Sequence, residues 1–277
     1  MKKFIGLALT ALMLVGLAAC GGGNGNGDDN GGSNVAGNGN EGGNGGGTAV
    51  EARGTIVMGT NAEFEPFEFW SGGQIVGIDV AIARAIADEL DKDLDIRDMD
   101  FTALLVALNR GEVDFVAAGM TINDERRESV DFSIPYFQAM QAIVVAADNN
   151  SVQSAADLQG IAVAAIAGYT GYNFSNDVLN LPNLRAYSSP AFAVAALQQG
   201  SVDAIVIDYT TARALVNANS DLQVVMDEDV FGSEYYGIAV RQGETDLLNS
   251  INLVLQRLLD SGELDEIIAY YRSYGEN

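Results

Sequence analysis

Two arginines stand side by side in "GMTINDERR", residues 119 to 127, just after a strand-like run. The chain carries 14 lysines and arginines against 38 acids, a formal net charge of -24. A cation kept in that background either joins a surface ion pair or meets an anion. Asp124 or Glu125 offers Arg126 the first role on a solvated helix face, and Arg127 reads that way too. Asp208 ends the apolar run "VDAIVID" and reads as the cap of a helix starting at Thr210 or Thr211, and Thr121 also reads as an N-cap.

Catalytic chemistry has little to draw on. The chain has no histidine, which removes the usual general base, the Ser/His/Asp and Cys/His nucleophile systems and every histidine metal site. Cys20 is the only cysteine, so no internal disulfide forms. Carboxylates, tyrosines and a few lysines remain, and ligand binding becomes the leading class, with no cofactor and no metal expected. The acidic balance leaves no basic footprint for nucleic acid.

The elements that would position these residues follow from periodicity. "TIVMGTN" (55 to 61) reads as a buried strand entering a loop. Ile82, Ile86 and Leu90 mark one helix face, and Phe101 to Arg110 a second helix stopped by Gly111. A repeat follows: "ALNRGEVDFVAAGMT" (107 to 121) and "ALQQGSVDAIVIDYT" (196 to 210) share Ala-Leu-x-x-Gly-x-Val-Asp, an apolar strand and a polar loop. "GIAVAAIAGYTGYNF" (160 to 174) is a second strand entering a glycine-bearing loop, and "AFAVAAL" (191 to 197) the helix before the second repeat. The expected fold class is therefore α/β, two similar lobes with mainly parallel sheets. Ligands of such sheets sit at the carboxyl ends of the strands, which gathers the loops at 60–67, 118–126, 168–171 and 208–211.

The stretches "GTNAEFEPFEF", "GIDVAIARAIADEL", "MDFTALLVAL", "VDFVAAGMTINDERRESVDFSIPYF", "DLQGIAVAAIAGYTG" and "VDAIVIDYT", in this order, resemble the extracellular polar amino-acid-binding proteins of ABC importers, such as the glutamine-binding and lysine/arginine/ornithine-binding proteins. The resemblance implies a periplasmic-binding-protein type II architecture with a two-crossing hinge near residues 136–140 and 232–236. It divides the chain into a first lobe of 54–137 plus 235–277 and a second of 138–234. It implies that Arg126 clamps the ligand carboxylate, a task its planar fork performs and lysine cannot, aided by backbone N–H groups around Thr121 and Thr170, each at a helix start. Asp208 would accept the ligand ammonium with the Gly119 carbonyl and the Thr121 hydroxyl, and Phe64 and Phe101 would sandwich the side chain. Asn61, Glu63, Ala118, Ile166 and Gly171 complete the expected site, while Phe67 and Phe69 read as core and Trp70 as lobe surface.

Departures bear on the ligand. Asn61 lies where several relatives carry Asp, and Ile166 where the glutamine binder has a lysine. No basic residue occurs between Gly54 and Asp79 or between Gly160 and Asn183, so an acidic side chain would be buried unpaired. The expected ligand is arginine or lysine, with glutamine or another amide as the alternative; Glu63, Gln138 or Glu234 would supply polarity. Two other classes stay open. A cyclohexadienyl-dehydratase-like enzyme on the same fold would use Glu63 or Glu234 as general acid, and a receptor module would need a signalling partner.

The first twenty residues read as export machinery. "MKK" and the apolar run from Phe4 to Ala19 form a signal peptide, and "LAAC" resembles a bacterial lipobox with lipid attached to Cys20. Residues 21–53 read as a glycine- and asparagine-rich tether. The expected product is a monomeric receptor outside the cytoplasm, held to the bacterial cell membrane by lipid alone. Its partners would be an ABC permease with its ATPase.

Overall fold

The computed structural model describes Gly54–Tyr274, so the expected signal peptide, Cys20 and the tether lie outside the described residues. Two five-stranded sheets organise the chain. In the first the spatial order is Lys92–Asp98, Gly54–Thr60, Phe115–Val116, Ala239–Arg241, Val130–Phe132. In the second it is Leu184–Tyr187, Val163–Ile166, Ala204–Asp208, Gln141–Ala146, Leu222–Val225. Each sheet thus places its second, first and third strands in parallel, then a strand arriving from the other lobe, then its fourth. Both arriving strands pair antiparallel on either side, so the sheets are mixed where a mainly parallel arrangement was expected. The reason is topological: a chain entering from the neighbouring lobe runs against strands that leave toward it.

The duplicated sequence is duplicated in its bonding. Asp114 of the first Val-Asp accepts from the backbone N–H of Val57 through Oδ2 at 2.8 Å, and its own N–H donates to the Val57 carbonyl at 2.8 Å. Asp203 of the second repeats both contacts with Ala162, at 2.9 and 2.7 Å. Each aspartate ties the third strand of its lobe to the first. The turn before each strand needs a left-handed backbone, which Gly111 and Gly200 supply at φ 72° and 69°.

Helices cover both sheets. Ile78–Glu89 buries Ile78, Ile82 and Ile86, as its 3.6-residue spacing dictates, against Thr245–Ser261, which buries Ile251, Val254, Leu255 and Leu258. Phe101–Asn109 and Pro190–Gln198 occupy corresponding places over the two sheets. Phe67 and Phe69 are core and Trp70 is exposed, as expected. The two crossings pair with each other: Phe137–Ala139 runs antiparallel to Glu234–Tyr236, within the two stretches named from the sequence.

Candidate ligand-binding site

A small cavity lies at the carboxyl ends of the inner strands. Of the twelve residues expected, eight line it: Phe64, Phe101, Ala118, Gly119, Thr121, Arg126, Thr170 and Asp208. Gln141, Tyr169 and Tyr236 line it as well and were not foreseen. The remaining four surround it. Asn61 is buried and reaches the cavity wall through Tyr169. Ile166 is core, because it belongs to the buried strand Val163–Ile166 rather than to the loop that follows. Gly171 packs on the sheet so tightly that a Cβ would stand 2.6 Å from Gln141 Oε1. Glu63 points to solvent on a two-residue strand, its pKa raised by partial burial and then by Asp98 and Asp100.

Arg126 is the only described cation buried here, 8 % exposed, with no carboxylate within salt-bridge distance among the described residues. Nη1 donates to the Thr121 carbonyl at 2.7 Å and Nη2 to the Gly168 carbonyl at 3.0 Å. A guanidinium has five N–H donors, so three remain for a ligand. The group lies 5.2 Å from the centre of the Phe101 ring. Burial lowers its pKa to about 10, opposed by the Glu234 charge, and it stays cationic at neutral pH. Its position comes from the short helix Asp124–Arg127, capped by Asn123, whose Oδ1 accepts from the Arg126 N–H at 2.9 Å. Thr121 is therefore no helix start, contrary to expectation. It bridges to Tyr236 of the return crossing, while Ile122 donates to the Tyr235 carbonyl, and the helix begins only after Asn123.

Asp208 faces the same cavity. Oδ1 accepts from the N–H groups of Thr210 and Thr211 at 2.8 and 3.2 Å, so the residue does cap its helix. Oδ2 is buried and makes no hydrogen bond of ordinary geometry. Burial raises the pKa to about 6 against the lowering influence of the nearby Tyr236 hydroxyl and of the two capping N–H groups. An unpartnered buried acceptor is costly, and it marks a place for a donor.

Glu234, on the return crossing, joins both lobes. Its Oε2 accepts from the hydroxyls of Thr121 and Thr170 at 2.9 Å each and from Gln141 Nε2 at 3.2 Å. The floor is set by Gly119, whose φ of 51° and contact with Phe64 leave no room for a side chain: a Cβ would stand 2.5 Å from that ring. Its N–H donates to Asp79 Oδ2 at 2.7 Å, while the Tyr136 hydroxyl donates to Asp79 Oδ1 at 2.7 Å. Asp79 is fully buried and its pKa is raised to about 6. Glu68 beside it is held well above the carboxylate range by burial and then by Asp79.

The arrangement offers a buried anion receptor and a buried cation acceptor in one small cavity between two lobes. The model of the bacterial extracellular solute-binding proteins, family 3, matches residues 56–274. The chain belongs to that family. Among family 3 and related proteins, a probable histidine-binding protein of Neisseria gonorrhoeae is 32% identical over 278 residues, covering 98% of this chain and 96% of that one. A crystal structure of a mutant of ArgBP from T. maritima superimposes with a TM-score of 0.75 at 40% identity, over 79% of this chain and 96% of the other. An ancestral arginine-binding protein bound to glutamine gives 0.74 at 39%, over 79% and 98%. The two-lobed fold expected from the sequence is that of these solved neighbours, and no described helix is long and apolar enough to cross a membrane.

Proposed function

We propose that the protein captures a polar L-amino acid between its lobes and delivers it to an ABC importer. Residues 54–137 with 235–277 form one jaw and 138–234 the other. The observation that carries this reading is the pairing of two buried groups with bonding capacity left over in one cavity, the Arg126 guanidinium and Asp208 Oδ2. A zwitterion satisfies both: its carboxylate takes the free guanidinium donors and its ammonium donates to Oδ2. Gly119 and Thr121 line the same cavity.

The side chain is cationic or amide-bearing, with arginine favoured. Supporting this, no basic side chain lines the cavity other than Arg126, and the similar solved structures include an arginine-binding protein that also holds glutamine. No catalytic step is assigned, since Glu63 lies outside the cavity and Glu234 is engaged by three donors. A lipid on Cys20 and the glycine-rich tether would keep the receptor near its permease. Thermal-shift screening against the twenty amino acids tests the reading, because a ligand that binds only the folded form raises its stability by mass action. Stabilisation by arginine or glutamine is expected. Stabilisation by none of the twenty would overturn it.

A further inference from the structure

The side-chain end of the cavity is already filled, and by the protein itself. The ring of Tyr169 stands edge-on to Phe101, centroids 4.8 Å apart at 65°, and to Phe64, 5.4 Å apart at 87°. Its hydroxyl donates to Asn61 Oδ1 at 2.9 Å. Phe64 and Phe101, which the amino-acid reading reserves for a ligand side chain, and Asn61 of the expected site are thus all engaged by Tyr169. The space left over is ≈ 20 Å³, room for about one water. No side chain of several heavy atoms fits beside the phenol while the lobes are together.

We propose that Tyr169 is an internal stand-in for the ligand's side chain, displaced on binding, and that what displaces it donates a hydrogen bond, as a guanidinium, a carboxamide or an imidazole does. The proposal rests on the amino-acid reading above and narrows it. The donor requirement follows from Asn61. Its Nδ2 donates to the Met99 carbonyl at 3.1 Å, and a carbonyl offers no donor in return, so the amide orientation is fixed and the oxygen faces the cleft. A ligand carboxylate would set its charge against that oxygen and leave it unpaired.

The energetic logic is competition. Tyr169 belongs to the loop after Val163–Ile166 and Asn61 to the loop after Gly54–Thr60, so the phenol also bridges the two lobes when no ligand is present. A ligand whose side chain takes the slot must break that bond. Removing the bond in advance therefore favours ligands that need the slot and not a ligand that leaves it alone.

Calorimetric titration of the wild-type protein, Tyr169→Phe and Tyr169→Ser with L-arginine, L-glutamine, L-histidine, L-glutamate and glycine tests this. Tyr169→Phe keeps the ring and is expected to tighten arginine and glutamine by roughly 3- to 10-fold, the value of one neutral hydrogen bond, and Tyr169→Ser by at least as much. Glycine, with no side chain to place in the slot, does not tighten, and glutamate does not bind. Weaker arginine binding by Tyr169→Phe would make the phenol a ligand contact and overturn the proposal. So would equal tightening of glycine, or glutamate binding as well as glutamine. Wild-type binding of arginine with no change in either variant sinks the Tyr169 proposal alone; the absence of binding to any of the five in all three proteins sinks the amino-acid reading and this proposal together.

Discussion

Thr170 of the second lobe donates its hydroxyl to Oε2 of Glu234 at 2.9 Å, and that same oxygen holds Thr121 of the first lobe at 2.9 Å. One carboxylate oxygen thus draws the two sides of the cleft together from the return crossing. Hydrogen bonds to a charged group contribute about 1.5–3 kcal/mol each, enough to shift an opening equilibrium more than tenfold at about 1.4 kcal/mol per decade. Glu234→Ala is expected to enlarge the radius of gyration of the ligand-free protein in small-angle scattering, with saturating ligand restoring the smaller value. An unchanged ligand-free radius would show that the cleft is held by other contacts.

Arg126 and Arg127 supply an internal control. Arg126 is buried with two carbonyl partners, whereas Arg127 is exposed with its guanidinium 5.9 Å from the Phe132 ring. Arg126→Ala is expected to cost about 2–5 kcal/mol of binding, or roughly 30-fold to several thousand-fold in affinity. Arg126→Lys should fail nearly as badly, since an ammonium cannot keep the Thr121 and Gly168 carbonyls and still present two parallel donors. Arg127→Ala should change affinity by little, an exposed charge being worth at most about 1 kcal/mol. Titration of the three variants checks the order.

Acid should strengthen the empty protein while weakening its grip on ligand. The folded pKa of Asp208 is raised from 3.8 to about 6, so its contribution to stability is fully present below the unfolded value and is lost as pH rises through about 6. Asp79 behaves alike, also raised from 3.8 to about 6. Ligand binding runs the other way, because a protonated Asp208 cannot serve as the charged acceptor of an ammonium. Between pH 7 and 5 the ligand-free melting temperature is expected to rise and the affinity to fall. Asp208→Asn should raise the ligand-free melting temperature at pH 7, flatten only its own share of the pH dependence and abolish binding. If Asp208→Asn keeps wild-type affinity at pH 7, Oδ2 is not the ammonium site.

The parts of this site that sequence made legible are those fixed by local pattern. Asp208 stands at a strand end marked by a repeat, and the repeat reports the duplicated lobes, down to the equivalent bonds of Asp114 and Asp203; Arg126, on the short helix beyond the repeat, was singled out by the family resemblance. Tyr169, Gln141 and Tyr236 escaped because their roles depend on which way a side chain turns. "AGYTGY" places two tyrosines in one glycine-bearing loop, of which Tyr169 is buried in the cavity while Tyr172 does not line it. In "SEYYGI" Tyr235 is exposed and Tyr236 buried, an alternation that follows from the paired strand Glu234–Tyr236, whose existence rests on pairing with residues nearly one hundred positions earlier. Thr121 was misplaced for a related reason. A Thr before "NDERR" has the look of an N-cap, but the bridge to Tyr236 claims it and Asn123 takes the cap.

The interleaved sheet order has a consequence for how the chain is assembled when it emerges N-terminus first. The second sheet uses a continuous stretch, Gln141–Ala146 through Leu222–Val225, and every one of its strands is available once residue 225 has emerged. The first sheet is not complete then. Its strand Val130–Phe132 is joined to Phe115–Val116 only through Ala239–Arg241, which is made later and must slot between them. The younger half of the molecule can therefore mature before the older half, reversing the usual N-terminal-first sequence of folding. A fragment covering 54–233 is expected to show amide protection across the second sheet and none in Val130–Phe132, which hydrogen exchange would reveal; protection of that strand in the fragment would mean that the first sheet closes without its late insert.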